Sequence, residues 1–222
     1  MQLSDSFHLK ISAIKLCGLK IKKVDLEELY LLLYEYQKRP ENRQLYKQDM
    51  KLVDLGCWTG LVSLLMNEAK GECNGVVYSV DDFVRDEPSA MKDVAKYINI
   101  YNVLEGNYAN YGVSGIIQII NKSFKEASTL FKNESLDVLF INYSHKYQDV
   151  LNDIDTWYHK VKVGGLICGH GCTVLDINTD NLDPNVPNPF NLNIGLIKAI
   201  KERFPQVKKT SKGSSIWYTY KT

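Results

Sequence analysis

Hydrophobic positions in this chain fall into short continuous runs separated by stripes that recur every three or four residues, the signature of strands followed by helices. Leu52, Val53 and Leu55 make a strand that is interrupted by Asp54 and closed by Gly56, and Leu61 to Ala69 resume at helical spacing. Gly75 to Val80 predicts a second strand, and Ile116, Ile117, Ile119 and Ile120 a third whose continuous apolar character suits a sheet covered on both faces. Lys122 to Phe131 reads as a helix. Leu136 to Ile141 is a buried strand, Val150, Ile154, Trp157 and Val161 a helical stripe closed by Gly164-Gly165, and Leu166-Ile167-Cys168 the start of another strand. A helix over Gly195 to Phe204 and a hairpin from Val207–Lys209 and Ser215–Tyr220 finish the chain. This alternation predicts an α/β protein: a doubly wound, mostly parallel sheet with helices on both faces, whose ligands lie beyond the carboxyl ends of the strands.

Upstream, Leu26, Leu29, Tyr30, Leu33 and Tyr34 give a helix an apolar face up to about Gln37, with Asp25 as its cap, Glu28 at the reciprocal capping-box position and Pro40 at its end. Residues 1–50 are therefore expected to be an N-terminal helical appendage to a domain spanning 51–222. The loosely patterned stretch 1–24 would cover the core or cleft, or meet a second copy in a homodimer. Residues 41–50 read as a polar linker. Between Asp82 and Tyr111 the pattern is polar and aromatic, with Met91, Val94, Ala95 and Ile98 suggesting a helix. The segment 176–193, with Pro184, Pro187 and Pro189, reads as a loop able to cover a site.

The chemistry concentrates where strands end. In Gly56-Cys57-Trp58-Thr59-Gly60 a strand passes through a glycine turn into a helix, an arrangement that permits close backbone approach to a ligand. Asp81 then ends the next strand, and an acid about 20 to 25 residues after such a turn is placed to hold a ribose diol. Trp58 stands where a dinucleotide fingerprint has its second glycine, and no Lys-Ser or Lys-Thr pair follows. A nucleoside ligand without phosphates fits best, and S-adenosylmethionine is one. Asn142, His145 and His170 also fall at or near strand ends. His145 could equally be a base or the cap of the helix beginning near Lys146, and His170 either accessible between its glycines or bound to backbone. Trp58 is either a lining or a core residue.

Charge narrows the partners. With 27 basic and 26 acidic residues the net charge is +1, which gives no global attraction to nucleic acid or to a membrane surface. Five cysteines without metal spacing fit reduced residues in an intracellular, cytoplasmic protein. No stretch has the length of a membrane span and no secretory signal is recognised, so the Asn-x-Ser triplets at Asn121, Asn133 and Asn142 are read as chance matches.

Four segments, VDLGCWTG, VYSVDDF, INKSFKEA and FINYSHKYQDVLNDIDTWYHKVKVGGLICGH, resemble the class I S-adenosylmethionine-dependent methyltransferases, in particular the branch of cephalosporin hydroxylase-like and macrolide-sugar O-methyltransferase-like proteins. The resemblance implies methionine-moiety contact at Asp54 and Gly56, backbone approach at Gly60 beside Trp58, ribose binding at Asp81 and adenine-side contact near Ser123. It implies methylation of a hydroxyl on a small molecule, possibly a sugar, with His145 as base, His170 the next base to consider, and Asn142 orienting donor or acceptor. The alternative is a non-catalytic or regulatory protein that kept the fold. Metal-dependent members carry carboxylates where this chain has Asn142 and His170-Gly171, so no metal is expected here, because Mg²⁺ prefers oxygen ligands.

Overall fold

The structure, a computed structural model, describes residues 21–39, 50–71, 73–84, 90–184 and 192–222. The expected appendage before Ile21, the linker over 41–49 and the loop from 185 to 191 lie outside the described residues.

One seven-stranded sheet carries the fold. Its strands are β1 (Met50–Leu55), β2 (Gly75–Asp81), β3 (Gln118–Asn121), β4 (Leu136–Ile141), β5 (Val161–Gly169), β6 (Lys208–Lys209) and β7 (Trp217–Tyr220). In space they run β3-β2-β1-β4-β5-β7-β6, with parallel pairs from β3 to β5 and antiparallel pairs at β5–β7 and β7–β6. The order reverses between β1 and β4, and that switch point is where a doubly wound sheet opens a crevice for a ligand.

Alternation along the strands divides the core into two layers. Leu52, Val138, Phe140, Leu166 and Cys168 face α1 (Lys23–Lys38), α2 (Leu61–Ala69) and α4 (Ile100–Tyr111). Val53, Leu55, Leu139, Ile141 and Ile167 face α5 (Phe124–Ser128), α6 (Tyr147–Trp157) and α7 (Ile194–Arg203). A short helix α3 (Ala90–Ala95) precedes α4. Leu26, Leu29, Leu33 and Tyr36 of α1 are buried in the same cluster as Leu64 and Leu65, so this helix shares the sheet's core. No described helix is long and apolar enough to cross a membrane.

Several elements differ from the sequence expectation. The cap of α1 is Lys22, without a side-chain bond, and Asp25 is a buried residue of the first turn rather than a cap. The polar, aromatic stretch forms two helices, the second capped by the Asn99 side chain accepting from Asn102 N–H. The third strand begins at Gln118, is half-exposed and forms one edge of the sheet, with Ile116 51% exposed ahead of it. The helix after it is one turn long. Strand β5 starts at Val161, so Gly164-Gly165 lie within a strand, beside a shift in its register with β4. The four described cysteines are free thiols.

Two glycines with left-handed backbone give a stability test. Gly56 (φ +81°) packs so closely on β4 that a Cβ would lie 2.5 Å from the Asn142 carbonyl oxygen, whereas Gly112 (φ +79°) has open space. Gly112→Ala should cost about 1–2 kcal/mol for the backbone alone, and Gly56→Ala a further 1–3 kcal/mol or so for the overlap. Equal urea-denaturation losses would show that the Gly56 contact is absent.

Candidate active site

The turn between β1 and α2 is held by the chain itself. Gly56, Trp58 and Gly60 all have positive φ, at +81°, +50° and +86°. An indole side chain tolerates that region poorly, and the turn keeps it because Trp58 is fully buried and its backbone N–H donates to Asp81 Oδ2 at 2.9 Å. The other Asp81 oxygen accepts from Phe83 N–H at 2.8 Å. Gly56 N–H donates to Val80 O at 2.9 Å, and Asn107 Nδ2 to Thr59 O at 2.9 Å. The volumes over the glycines are filled internally: by Asn142 backbone at Gly56, and by Tyr108 and Leu104 at Gly60. These glycines thus let the chain approach itself, and Trp58 is a core residue that offers its N–H to Asp81 rather than a side chain to a cleft.

Beneath the turn runs a buried polar chain that sequence reasoning missed. Ser63 Oγ donates to Asp54 Oδ2 at 2.6 Å, Ser79 Oγ donates to Ser63 Oγ at 2.7 Å, and Tyr108 OH lies 2.5 Å from Ser79 Oγ. With Tyr108 as donor, every hydrogen points toward the carboxylate. Asp54 is fully buried and its Oδ1 has no hydrogen-bond partner among the described residues. Desolvation pushes its pKa up to about 7; the Ser63 bond opposes this and the charge of Asp81 adds to it. No periodicity distinguishes Tyr108 from the other tyrosines of α4, because a buried phenol declares itself only through its partners.

At the carboxyl edge of β2, β3 and β4 lies a cavity of about 210 Å³, lined by Asp82, Phe124, Tyr143, Asp149, Asn152 and Asp153. Phe124 and Tyr143 meet edge to face with centroids 4.9 Å apart, and Tyr143 OH donates to Val84 O at 3.0 Å. Ser123 caps α5 in a reciprocal box with Glu126, which places Phe124 at the cavity. Asp153 has one oxygen, Oδ2, without a partner among the described residues, and burial followed by the charge of Asp149 pushes its pKa up to about 7. Of the two adjacent acids at the end of β2, Asp82 lines the cavity, while Asp81 is buried under the turn.

The histidines meet at the ends of β4 and β5. Asn142 follows β4 directly, its N–H donating to Leu55 O at 2.9 Å. His145 does not cap α6; Ser144 Oγ instead accepts from Lys146 N–H at 3.2 Å and donates to Asp149 at 2.8 Å. A Cβ on Gly171 (φ +102°) would lie 2.5 Å from His145 Nε2, so glycine is what admits that ring. Desolvation, then the neighbouring His170, push the His145 pKa down to about 4. As a whole residue His145 remains exposed, so water softens the effect; what the crowding fixes is its direction, toward the neutral imidazole. His170 lies 3.2 Å from Asp25 Oδ2 through Nε2 and its ring has no backbone partner among the described residues. Asn193 Nδ2 donates to Gly171 O at 2.8 Å, and Gly195 packs against the backbone of His145 to Tyr147, which brings the start of α7 onto the pair.

A family described as "Methyltransferase domain" matches residues 53–172, more than half of the 222-residue chain. The chain belongs to this family. A search of curated proteins finds no match. Among solved structures, an O-methyltransferase from Bacillus cereus in complex with SAH aligns at TM-score 0.61 and 13% identity over 99% of this chain and 92% of that one. TomG from Streptomyces achromogenes, an O-methyltransferase involved in tomaymycin synthesis and solved with SAM, aligns at TM-score 0.58 and 14% identity over 92% and 82%. The O-methyltransferase NovP aligns at TM-score 0.55 and 15% identity over 88% and 80%. At these identities the structural likeness speaks to the fold, which is that of a class I methyltransferase.

The cofactor of this family is S-adenosylmethionine, and this methyltransferase has groups that fit it. The cavity pairs aromatic walls with carboxylates, which suits an adenosine with its ring, amino and hydroxyl donors, and the orphaned Asp54 Oδ1 is an acceptor waiting for a donor. At Asn142 and His170 an amide and an imidazole offer no carboxylate of the kind that Mg²⁺ prefers. Among the described residues no group of three or more His, Cys, Asp and Glu side chains is gathered to hold a metal ion.

The raised pKa of Asp54 yields a pH test. A folded-state pKa of about 7, above the ordinary 3.8, means that the folded protein holds a proton that the unfolded chain has lost between those values. Its stability contribution is therefore lost as pH rises from about 4 through about 7. Asp54→Asn removes the titration, so the stability of the variant relative to wild type should increase from pH 5 to pH 8 in urea denaturation. An unchanged difference at the two pH values would show that the carboxyl titrates normally.

Proposed function

We propose that this methyltransferase transfers the methyl group of S-adenosylmethionine to a hydroxyl oxygen of a small molecule, with sugars as the favoured acceptor class. The observation that carries the reading is convergence at one edge of the sheet: the β1 turn, the Asp82–Phe124–Tyr143 cavity and the His145–His170 pair all lie at the carboxyl ends of β1 to β5. The branch resemblance of residues 140–170 supports oxygen as the acceptor atom.

In this scheme Phe124 and Tyr143 hold the adenine side, with Ser123 orienting Phe124 through its cap, and Asp82 takes the ribose diol. Asp81 acts indirectly by pinning the turn through Trp58 N–H. Asp54, Gly56 and Gly60 form the floor and rim of the methionine end. When bound, the cofactor supplies a methyl carbon carrying a positive sulfonium leaving group. The protein then has to place a hydroxyl oxygen in line with that carbon, exclude water and accept one proton. Asn142, one residue beyond β4, orients donor or acceptor, and the histidine pair receives the proton. A neutral imidazole suits this role twice over, because it can take a proton and does not repel the sulfonium.

The test is release of S-adenosylhomocysteine from S-adenosylmethionine by the purified protein with a panel of methyl glycosides, phenols and hydroxy acids. Turnover with the glycosides, unaffected by chelators, is the expected result. Asp82→Asn should raise KM for the donor about tenfold with little change in Tm, whereas Asp81→Asn should lower Tm as well because it frees the turn. Turnover restricted to amine or thiol acceptors would overturn hydroxyl methylation, and unchanged KM in Asp82→Asn would remove the ribose role.

A further inference from the structure

We propose that Asp25, carried by α1, is the positioning residue that makes His170 the proton acceptor of this site, so that the N-terminal helix is part of the catalytic apparatus. The proposal relies on the preceding reading for the reaction and on the geometry for the dyad.

Asp25 is fully buried in the first turn of α1, where an apolar residue would serve packing at no desolvation cost. Its two oxygens are used differently. Oδ1 accepts from Ser215 N–H at 2.5 Å and from Ser214 Oγ at 3.0 Å, and these two bonds, from the loop before β7, fix the carboxylate plane. Oδ2 is thereby aimed at His170 Nε2, 3.2 Å away and 145 positions further along the chain. Burial on its own would raise the pKa of this carboxyl, but the His170 imidazole, the Ser215 N–H and the Ser214 hydroxyl together bring it below the ordinary value, so Asp25 is an anion at neutral pH.

A fixed anion at one imidazole nitrogen decides the tautomer. Nε2 carries the hydrogen and donates it to Asp25, which leaves the Nδ1 lone pair as the basic position. When Nδ1 takes a proton, the resulting imidazolium lies against a carboxylate that needs no reorganisation. Among the described residues His145 has no such carboxylate partner, and after its desolvation the presence of His170 further disfavours its charged form. Of the two adjacent rings, His170 is the one with a fixed carboxylate against it. The charged and titratable side chains facing His170 among the described residues are Asp25 from α1 and His145 from the loop after β4. The step balances simply: the acceptor oxygen bonds to the methyl carbon, the carbon–sulfur bond breaks with its electron pair going to sulfur, and the hydroxyl proton passes to Nδ1 of His170.

The dyad is tested first without turnover, by ¹⁵N-resolved NMR of the imidazole rings in the full chain at neutral pH, with His170→Gln identifying the signal. The Nε2–H tautomer in wild type is expected, and a mixture of tautomers in Asp25→Asn. An Nδ1–H tautomer in wild type would overturn the proposal even if Asp25→Asn failed to fold. With the glycoside panel, Asp25→Asn should lower kcat roughly a hundredfold while KM for S-adenosylmethionine stays within about twofold, and Asp25→Glu should recover part of the loss. His170→Gln should be at least as damaging as His145→Gln. Wild-type kcat in Asp25→Asn, or a loss confined to KM, would also overturn it. Absence of turnover in wild type would count against the reaction and not against the dyad, which the tautomer decides.

Discussion

A carboxylate with no solvent exposure, near the end of β1, has to be accommodated by whatever surrounds it, and much of the site follows from how this is done. Asp54 faces α2, so Ser63 on that helix donates to it, Ser79 on β2 donates to Ser63, and Tyr108 on α4 closes the chain over Gly60. Four elements are thereby joined through hydrogen bonds in a low-dielectric interior, where each bond is stronger than in water and each missing one is costly. The turn above this network can hold three residues at positive φ because its position is set from below by the polar chain and from the side by Asp81.

The same logic of remote tethers recurs at the opposite side of the site. Ser214 and Ser215 belong to the loop before β7, Asp25 to the first described helix and His170 to the position just after β5, and Asp25 joins these distant segments. The helix that precedes the sheet is therefore bound to it by apolar packing along Leu26, Leu29 and Leu33 and by a directional polar contact at its start. Packing alone would leave the helix free to slide by small amounts. The Asp25 contacts give it a register.

Much of the sheet was legible because its strands are short apolar runs between glycines, and its order follows from alternating strands and helices. The strand ends also picked out the β1 turn, Asp81, Asn142, His145 and His170 as one locality. What could not be read were contacts between residues far apart in sequence. Asp25 matched a capping pattern, since Glu28 follows at the right spacing, but its burial against Ser214 and His170 is a tertiary fact that overrides a local one. Gly164-Gly165 resembled a helix stop because nothing local announces a strand with an irregular register. The isoleucines at 116–120 looked like a central strand, and their place near the sheet edge depends on which strands pair. Asp82 was overshadowed by Asp81 because the two are adjacent, and only the pleat decides which points under the turn and which reaches the cavity.

The central claim is that the edge of the sheet above β1 to β4 is a nucleoside site built from Asp82, Phe124 and Tyr143 beside the pinned turn. The most direct measurement is a crystal structure of the protein grown with S-adenosylhomocysteine. The account predicts the adenosine in the cavity between Phe124 and Tyr143, with Asp82 at the ribose and the amino-acid end toward Asp54. Adenosine bound at a different place on the chain, with that cavity filled by solvent, would contradict it.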